Sequence, residues 1–400
     1  MSQPDEPHLI VVGGGGEGTH TLPRAYFEAT GLKADVLAPG TPRLLEGSRI
    51  LNLKPNVDIK DDRALAQALG DAAKEHEGPT LLVATSSDLL DRLLQVKNQP
   101  PDQVIIPYAS PDKLWRASDK VEFARICSEV GVPHPDTVTV GRGVVDLPDD
   151  ASAPAYLKPV DELEWGPLSF EGKRKVYSCK TLFEAESCLR EARENGCAGR
   201  FVLQQEIPGG DEQMRVLTLY RDRSGQVTVA HGGKVALHTH GPLDEGVSQV
   251  ILTGPLPESE RDAARILQHF DWRGFASSDV KVDPRSGVGY FLELNPRTSA
   301  TTHYVTAAGV NPYEAWRNDW VLDRQGEALE PTKRISYSSV SRGAIRDAAA
   351  PETRAEMRGL PVRHPLLNWR DLALRRSVLG RTVRAWRHMQ KRSESYRQRW

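Results

Sequence analysis

The residues best suited to chemistry are two acids and an amide flanking one turn. Phe275 to Val282 reads as a strand, Asp283-Pro284-Arg285-Ser286-Gly287 as a turn, and Gly289 to Asn295 as the returning strand. Side chains alternate across a strand, so Glu293 and Asn295 share one face, with Leu292 and Leu294 on the other. Pairing Val282 with Tyr290 sets Asp279 directly opposite Glu293. Cross-strand neighbours stand about 4.5–5.5 Å apart at Cβ, and like charges there repel. A cation reverses that penalty. Two carboxylates and an amide oxygen form a hard, all-oxygen donor set, suited to Mg²⁺ (or Mn²⁺) sharing its sphere with phosphates. The alternative is two solvated acids on an exposed face, with Lys281 as a surface partner.

These residues need elements to hold them. The first hundred residues alternate strand and helix: strands at His8–Val12, 33–38 and Thr80–Ala84, helices near 61–77 and 88–96. That alternation implies a parallel sheet with helices on its faces. A boundary is expected near 111–118. A capped helix follows, with Asp119 as N-cap and Glu122 three residues on, ending at Gly131 and Pro133. After an acidic, proline-containing linker (146–154), residues 155–208 read as a small β-rich lobe. Its helix opens at Thr181 and Glu184 and ends at Asn195-Gly196. Strand patterns dominate 211–295, interrupted by one helix with Ala263, Ile266, Leu267 and Phe270 on its buried stripe. The expected fold class is α/β with α+β lobes, divided as 1–115, 116–207, 208–330 and a C-terminal extension, 331–400.

Composition narrows the function. In 400 residues, 52 basic side chains nearly balance 54 acidic ones, so no overall basic bias points to nucleic acid. No apolar run approaches the roughly 18 residues of a membrane helix, and the polar start does not read as a signal peptide, so a cytoplasmic protein is expected. Cys127, Cys179, Cys188 and Cys197 show no C-x-x-C spacing and read as reduced thiols. Gly13, Gly15 and Gly18 satisfy G-x-G-x-x-G after a strand, but the second strand closes with Ala38-Pro39-Gly40 rather than an acid. A tight turn without a dinucleotide is the plainer reading. Residues 363–400 hold eleven Arg or Lys against Asp371 and Glu394. Leu372, Leu379, Val383 and Trp386 there trace one helical face. Either this helix docks on the acidic body, or its basic face touches an anionic membrane, nucleic acid or an anionic acceptor substrate.

Phe291-Leu292-Glu293-Leu294-Asn295-Pro296-Arg297 resembles the E-x-N-P-R segment of the ATP-grasp superfamily. Asp119-Lys120, Tyr156-Leu157-Lys158-Pro159 and Leu203-Gln204-Gln205-Glu206-Ile207-Pro208-Gly209 resemble further pieces of its pattern, in order, over residues 8–320. Within the superfamily the chain looks most like carboxylate–amine ligases of the D-aspartate ligase type. The resemblance implies an N-terminal α/β domain, a two-lobed ATP-binding fold and an ADP-forming ligase. Such an enzyme activates a carboxylate as an acyl phosphate and joins it to an amine, with amino-acid or peptide substrates. It implies Asp279, Glu293 and Asn295 as Mg²⁺ ligands, and Lys120 and Lys158 on the ATP phosphates. Gln204, Gln205 and Ile207 would meet adenine, and Asp211, with Glu212 as the fallback, the ribose. Arg297 would face the acyl phosphate, and Lys234 would add a further cation. A biotin-carboxylase-like enzyme and a non-catalytic ATP-binding protein are the alternatives. The second is suggested by a departure from the family: the ATP-covering loop, 161–175, has only Gly166 and Gly172 and carries a bulky Glu164-Trp165. Lys173, Arg174 and Lys175 supply its charge, and His303 is a candidate for an acceptor pocket.

Overall fold

The computed structural model describes residues 6–95, 102–160, 162–241, 246–366 and 376–397. Three sheets organise them. The N-terminal sheet holds β1 (His8–Val12), β2 (Ala34–Leu37), β3 (Leu51–Lys54), β4 (Thr80–Ala84) and β5 (Val104–Ile105), all parallel, in the order β3-β2-β1-β4-β5. Helices α1 (Glu17–Thr30), α2 (Asp62–Lys74) and α3 (Ser87–Gln95) connect or follow these strands. Every residue of β1, β2 and β4 is buried, as expected of parallel strands covered on both faces.

The stretch where a boundary is expected forms helix α4 (Pro111–Ser118), with proline in its first turn where a missing N–H costs nothing. Its last residue abuts α5 (Lys120–Glu129), whose cap Asp119 accepts from the amides of Val121 and Glu122. Glu122 does not reach back to the cap; it pairs with Arg116 and Arg125. The small lobe is an antiparallel sheet of β6 (Thr137–Val140), β7 (Ala155–Pro159), β8 (Tyr177–Cys179) and β9 (Phe201–Gln205), ordered β6-β9-β7-β8. A short helix α6 (Glu162–Trp165) and the long helix α7 (Leu182–Glu194) complete it. All four cysteines are free thiols.

The large sheet is built from β10 (Met214–Arg221), β11 (Val227–His238), β12 (Ser248–Gly254), β13 (Gly274–Val282) and β14 (Gly289–Asn295), ordered β14-β13-β10-β11-β12. Beyond β12 it is extended by β15 (Ser336–Ser338) and β16 (Val362–Arg363). Helices α8 (Pro257–His269), α9 (His303–Ala308) and α10 (Pro312–Trp320) accompany it. Ala263, Ile266 and Leu267 of α8 are buried, as their spacing predicts.

The C-terminal stretch adds α11 (Arg342–Ala348), α12 (Pro351–Met357) and α13 (Arg376–Arg397). Helix α13 docks on the body, but not by the face its apolar spacing suggested. Val383 and Trp386 are 38% and 51% exposed, Leu372 lies outside the described residues, and the contacts come from Ala385, Arg392, Ser393 and Tyr396. Arg384 donates to the carbonyls of Arg43 and Glu46, and Arg392 pairs with the buried Glu17 at 3.0 Å. Ser393 Oγ accepts from the amide of Ser341, and the Tyr396 hydroxyl donates to the carbonyl of His238. One helix thus ties the N-terminal domain to the large sheet.

Candidate active site

The hairpin β13–β14 brings Asp279 directly opposite Glu293 and Ser277 opposite Asn295. Toward the turn the register changes: Val280 pairs with Phe291, Lys281 with Tyr290, and Val282 with Gly289 rather than with Tyr290. Leu292 is the extra residue of a β-bulge. The bulge corrects the simple alternation, because Phe291 and Leu294 both enter the core while Leu292 stays partly exposed. It leaves the two carboxylates on one face, with Asn295 Nδ2 donating to Glu293 Oε1 at 2.9 Å.

Cations converge on this pair from the small lobe and from α5. Lys158 on β7, Lys120 at the first turn of α5 and Lys175 from the 161–175 loop all act on Glu293. Burial works against ionising Glu293, yet these three lysines outweigh it and hold its carboxyl down at about 2. Asp279 goes the other way: burial and the facing Glu293 push it up to about 7. Lys158 is pulled down to about 8, chiefly by burial and further by Lys120 and Lys175, with Glu293 opposing. Its ammonium donates to Gln204 Oε1 at 2.6 Å.

The Asp279 shift has a consequence for stability. Unfolded, Asp279 loses its proton near 3.8; folded, it keeps it to about 7. Its contribution to stability therefore falls as pH rises between those limits. Glu293 opposes this only at lower pH, where its contribution, complete above about 4.5, is lost as pH falls toward 2. Without divalent ions, the melting temperatures of the wild-type and Asp279→Asn proteins are expected to converge at or below about pH 4. They should separate toward pH 7, with the variant the more stable. Parallel curves across this range would show that the carboxylates do not repel.

At the far end of the hinge strand, Gln204 is buried, Gln205 exposed and Ile207 buried. Asp211 opens a 3₁₀ turn, and its Oδ2 accepts from the His238 amide at 2.8 Å and lies 3.0 Å from His240 Nε2. Burial opposes the ionised form of Asp211, but these partners hold its carboxyl low. Glu212 accepts from the Gly210 amide. Two residues here escaped the sequence reading. Lys281, taken for a surface partner, is only 9% exposed and faces Glu206, Asp211 and Glu212. It shares the Asp279 face by strand alternation, which parity could have revealed. His240 carried no recognisable spacing signal.

No protein-family model matches the chain. A D-aspartate ligase of Enterococcus faecium is 26% identical over 318 residues, 77% of this chain and 75% of that protein. The L-amino acid ligase of Bacillus licheniformis superposes with a TM-score of 0.57 at 15% identity, covering 83% of this chain and 80% of that one. The chain has the ATP-grasp fold. The same fold recurs in the biotin carboxylase domain of the Hydrogenobacter thermophilus 2-oxoglutarate carboxylase, solved with MgADP, ADP and bicarbonate. There the TM-score is 0.60 at 13% identity, covering 82% of this chain and 73% of that one.

Within this fold the residues expected around the nucleotide fall into two groups. Asp279, Glu293, Asn295, Lys120, Lys158 and Gln204 lie together. Lys234 does not join them. It pairs with Arg215, and Arg215 with Val280, whereas Asp279 sits one row away, beside Val216 and Gly233. Alternation therefore sends Lys234 to the opposite face of the sheet, where its ammonium lies 3.6 Å from Glu356 of α12. Arg297 reaches the N-terminal domain, donating from Nε to Ser87 Oγ at 3.0 Å. Beside it, a cavity of about 390 Å³ lies against the glycine turn, lined in part by Gly14, Glu17, Gly18, Thr85, Ser86 and Ala300. The turn itself demands glycine: Gly15 has φ +90°, and a Cβ there would sit 2.3 Å from Pro42. His303 is 1% exposed, and burial holds it neutral, so it does not line an open pocket.

The glycine-poor loop has a conformation of its own. Trp165 is tucked into the small-lobe core against Phe170, Tyr177 and Phe201, and its indole N–H donates to the Arg174 carbonyl at 3.2 Å. Lys173 is spent inside the loop, donating to the carbonyls of Gly166 and Leu168. Arg174 acts on Tyr177 and Cys188, and Lys175 acts on the carboxylate pair.

Proposed function

We propose that the chain is an ADP-forming ligase that activates a carboxylate as an acyl phosphate and joins it to an amine, with amino-acid or peptide substrates. The observation that carries this reading is the Asp279–Glu293 pair facing three lysines drawn from three other elements. Partly buried acids that repel one another are poor architecture unless a cation joins them, and burial together with the facing Glu293 raises the Asp279 carboxyl accordingly. The donor set fits Mg²⁺, which Asp279, Glu293 and Asn295 would hold, and Lys120, Lys158 and Lys175 fit the phosphates. Bound Mg²⁺–ATP supplies the phosphoryl group and screens its charge during transfer.

The remaining roles follow position. Gln205 and Ile207 offer backbone groups to adenine, Gln204 orients Lys158, and Asp211, with Glu212 beside it, takes the ribose hydroxyls. Arg297 suits the acyl phosphate because a planar guanidinium binds phosphate or carboxylate in two places at once. The cavity beside it, walled by the glycine turn, is the proposed seat of the carboxylate substrate. The D-aspartate ligase likeness favours an amino acid there.

An ADP-release screen over amino acids with hydroxylamine as surrogate amine tests the proposal. A hydroxamate formed with one amino acid is the expected product. Release that depends on bicarbonate without hydroxamate would mean a carboxylase, and no release with any acid a nucleotide-binding protein without turnover. Lys158→Ala is expected to raise the KM for ATP by about tenfold or more, since one charged contact to phosphate contributes about 1.5–3 kcal/mol. Circular dichroism should remain unchanged. Normal ATP affinity would show that Lys158 serves only Gln204.

A further inference from the structure

A second cluster of ligating side chains lies at the other end of the N-terminal sheet, away from the glycine turn. His8 opens β1, Asp35 is the second residue of β2, and His76 follows two residues after α2. Ile10 pairs with Asp35, so His8 and Asp35 lie on one face of adjacent strands. Both imidazoles approach the same oxygen: Asp35 Oδ2 lies 3.4 Å from His8 Nε2 and 3.2 Å from His76 Nε2. One ligand atom from each of the three residues falls within 4.8 Å of the others.

Three observations argue that this is more than a hydrogen-bond network. Asp35 is 1% exposed, a depth at which a carboxylate requires compensation. His8 is 7% exposed, and its Nε2 is buried without a hydrogen bond, because its approach to Asp35 lacks the geometry of one. The nitrogen is thus aimed into the cluster, within ion-pair distance of Asp35 but without a well-formed hydrogen bond. The His8 and His76 rings lie parallel, 3.3 Å between centroids and 17° between planes. Two imidazolium rings stacked so closely would repel, so protonating both is a poor way to balance Asp35.

We propose that His8, Asp35 and His76 form a binding site for a borderline transition-metal cation, Zn²⁺ being the best match. Ligands about 2.0–2.1 Å from a tetrahedral zinc stand about 3.3 Å from one another, and the two nitrogen–oxygen separations here match that spacing. Two imidazoles and one carboxylate disfavour Mg²⁺, which takes oxygen ligands. Asn52 Nδ2 donates to Asp35 Oδ1 at 3.1 Å, fixing the carboxylate and leaving Oδ2 for the ion. The His76 side chain is 28% exposed, which gives an entry path, freedom for the ring to turn, and room for water as a fourth ligand. The site is independent of the ligase reading. Bound there, an ion would clasp β1, β2 and the exit of α2.

The test uses the full-length protein stripped with a chelator and held in millimolar Mg²⁺, titrated with Zn²⁺ by calorimetry and followed by thermal melting. We expect stoichiometric Zn²⁺ binding that raises the melting temperature. His76→Ala and His76→Gln should each weaken it at least tenfold, whereas Glu293→Gln should retain it. His76→Gln keeps an amide donor for Asp35 but no imidazole, so it separates ligation from hydrogen bonding. Failure of the wild type to bind, binding by either His76 variant as tight as the wild type's, or loss of binding in Glu293→Gln would overturn the proposal.

Discussion

Glu293→Gln is expected to lower kcat by at least about 100-fold, and Asp279→Asn comparably, with a smaller change in the KM for ATP. The asymmetry has a physical basis. Lys120, Lys158 and Lys175 still attract the polyphosphate when one carboxylate is neutralised, so ground-state binding survives. The missing charge is felt most where phosphoryl oxygens and the ion must share a tight geometry, which is the transition state. Both variants should fold, because an amide replaces a carboxylate of the same shape and relieves repulsion between Asp279 and Glu293. Initial rates over an ATP series, at fixed carboxylate and amine, separate kcat from KM. Near-normal turnover in both variants would remove the metal assignment, and a loss confined to KM would move the carboxylates from chemistry to binding.

Removing the chain beyond Leu366 is expected to destabilise the protein severely. Glu17 is buried at 4% exposure, and its ionic partner Arg392 lies 3.0 Å away on α13, with the Tyr337 hydroxyl donating at 3.3 Å. Without that guanidinium, Glu17 must either carry an unpaired buried charge or take up a proton. Breaking a buried pair by removing one partner costs about 3–5 kcal/mol. The truncation also uncovers the surfaces under Ala385 and Tyr396, and strips the Arg43 and Glu46 carbonyls of Arg384. A melting temperature lower by roughly 5–10 °C, with aggregation on heating, is the expected result. The outward side of α13 still shows Trp386, Val383, Arg387 and Lys391 to solvent. If the shortened protein instead stays stable and merely loses salt-sensitive binding to anionic vesicles, α13 is a surface-binding arm rather than a structural one.

The sequence was most informative where one local pattern decides the outcome. The helix caps at Asp119 and Thr181 and the parallel N-terminal strands follow from periodicity within a few residues, whereas the facing acids of the hairpin are foreseen through a pairing that the bulge replaces. It was least informative where position depends on a neighbour from another element. Lys234 sits in a strand beside the site, but only the pairing of β10 with both β11 and β13 shows that it faces away. Lys281 reads as a surface lysine until the hinge acids close over it. In α13 Val383 and Trp386 remain outside, because the body presents polar partners, Glu17, Gln249 and Ser341, that select Arg392 and Ser393 instead. Trp165 seemed an obstacle to an ATP-covering loop. It proves to be the loop's anchor, which only the small-lobe core around it explains.

The bulge at Leu292 bears on how the metal-ligand pair comes into being. A hairpin zipping inward from its turn, starting with Val282 against Gly289, would continue in step and place Ser278, not Asp279, across from Glu293. The carboxylates meet only because zipping skips one residue. What rewards the skip is distant from the turn: Phe291 and Leu294, three apart, can both be buried only in the bulged form. The opposed acids are therefore absent from the hairpin as a local unit. They arise when the large sheet condenses on its core, so the same hydrophobic contacts that complete the domain also assemble its charge pair.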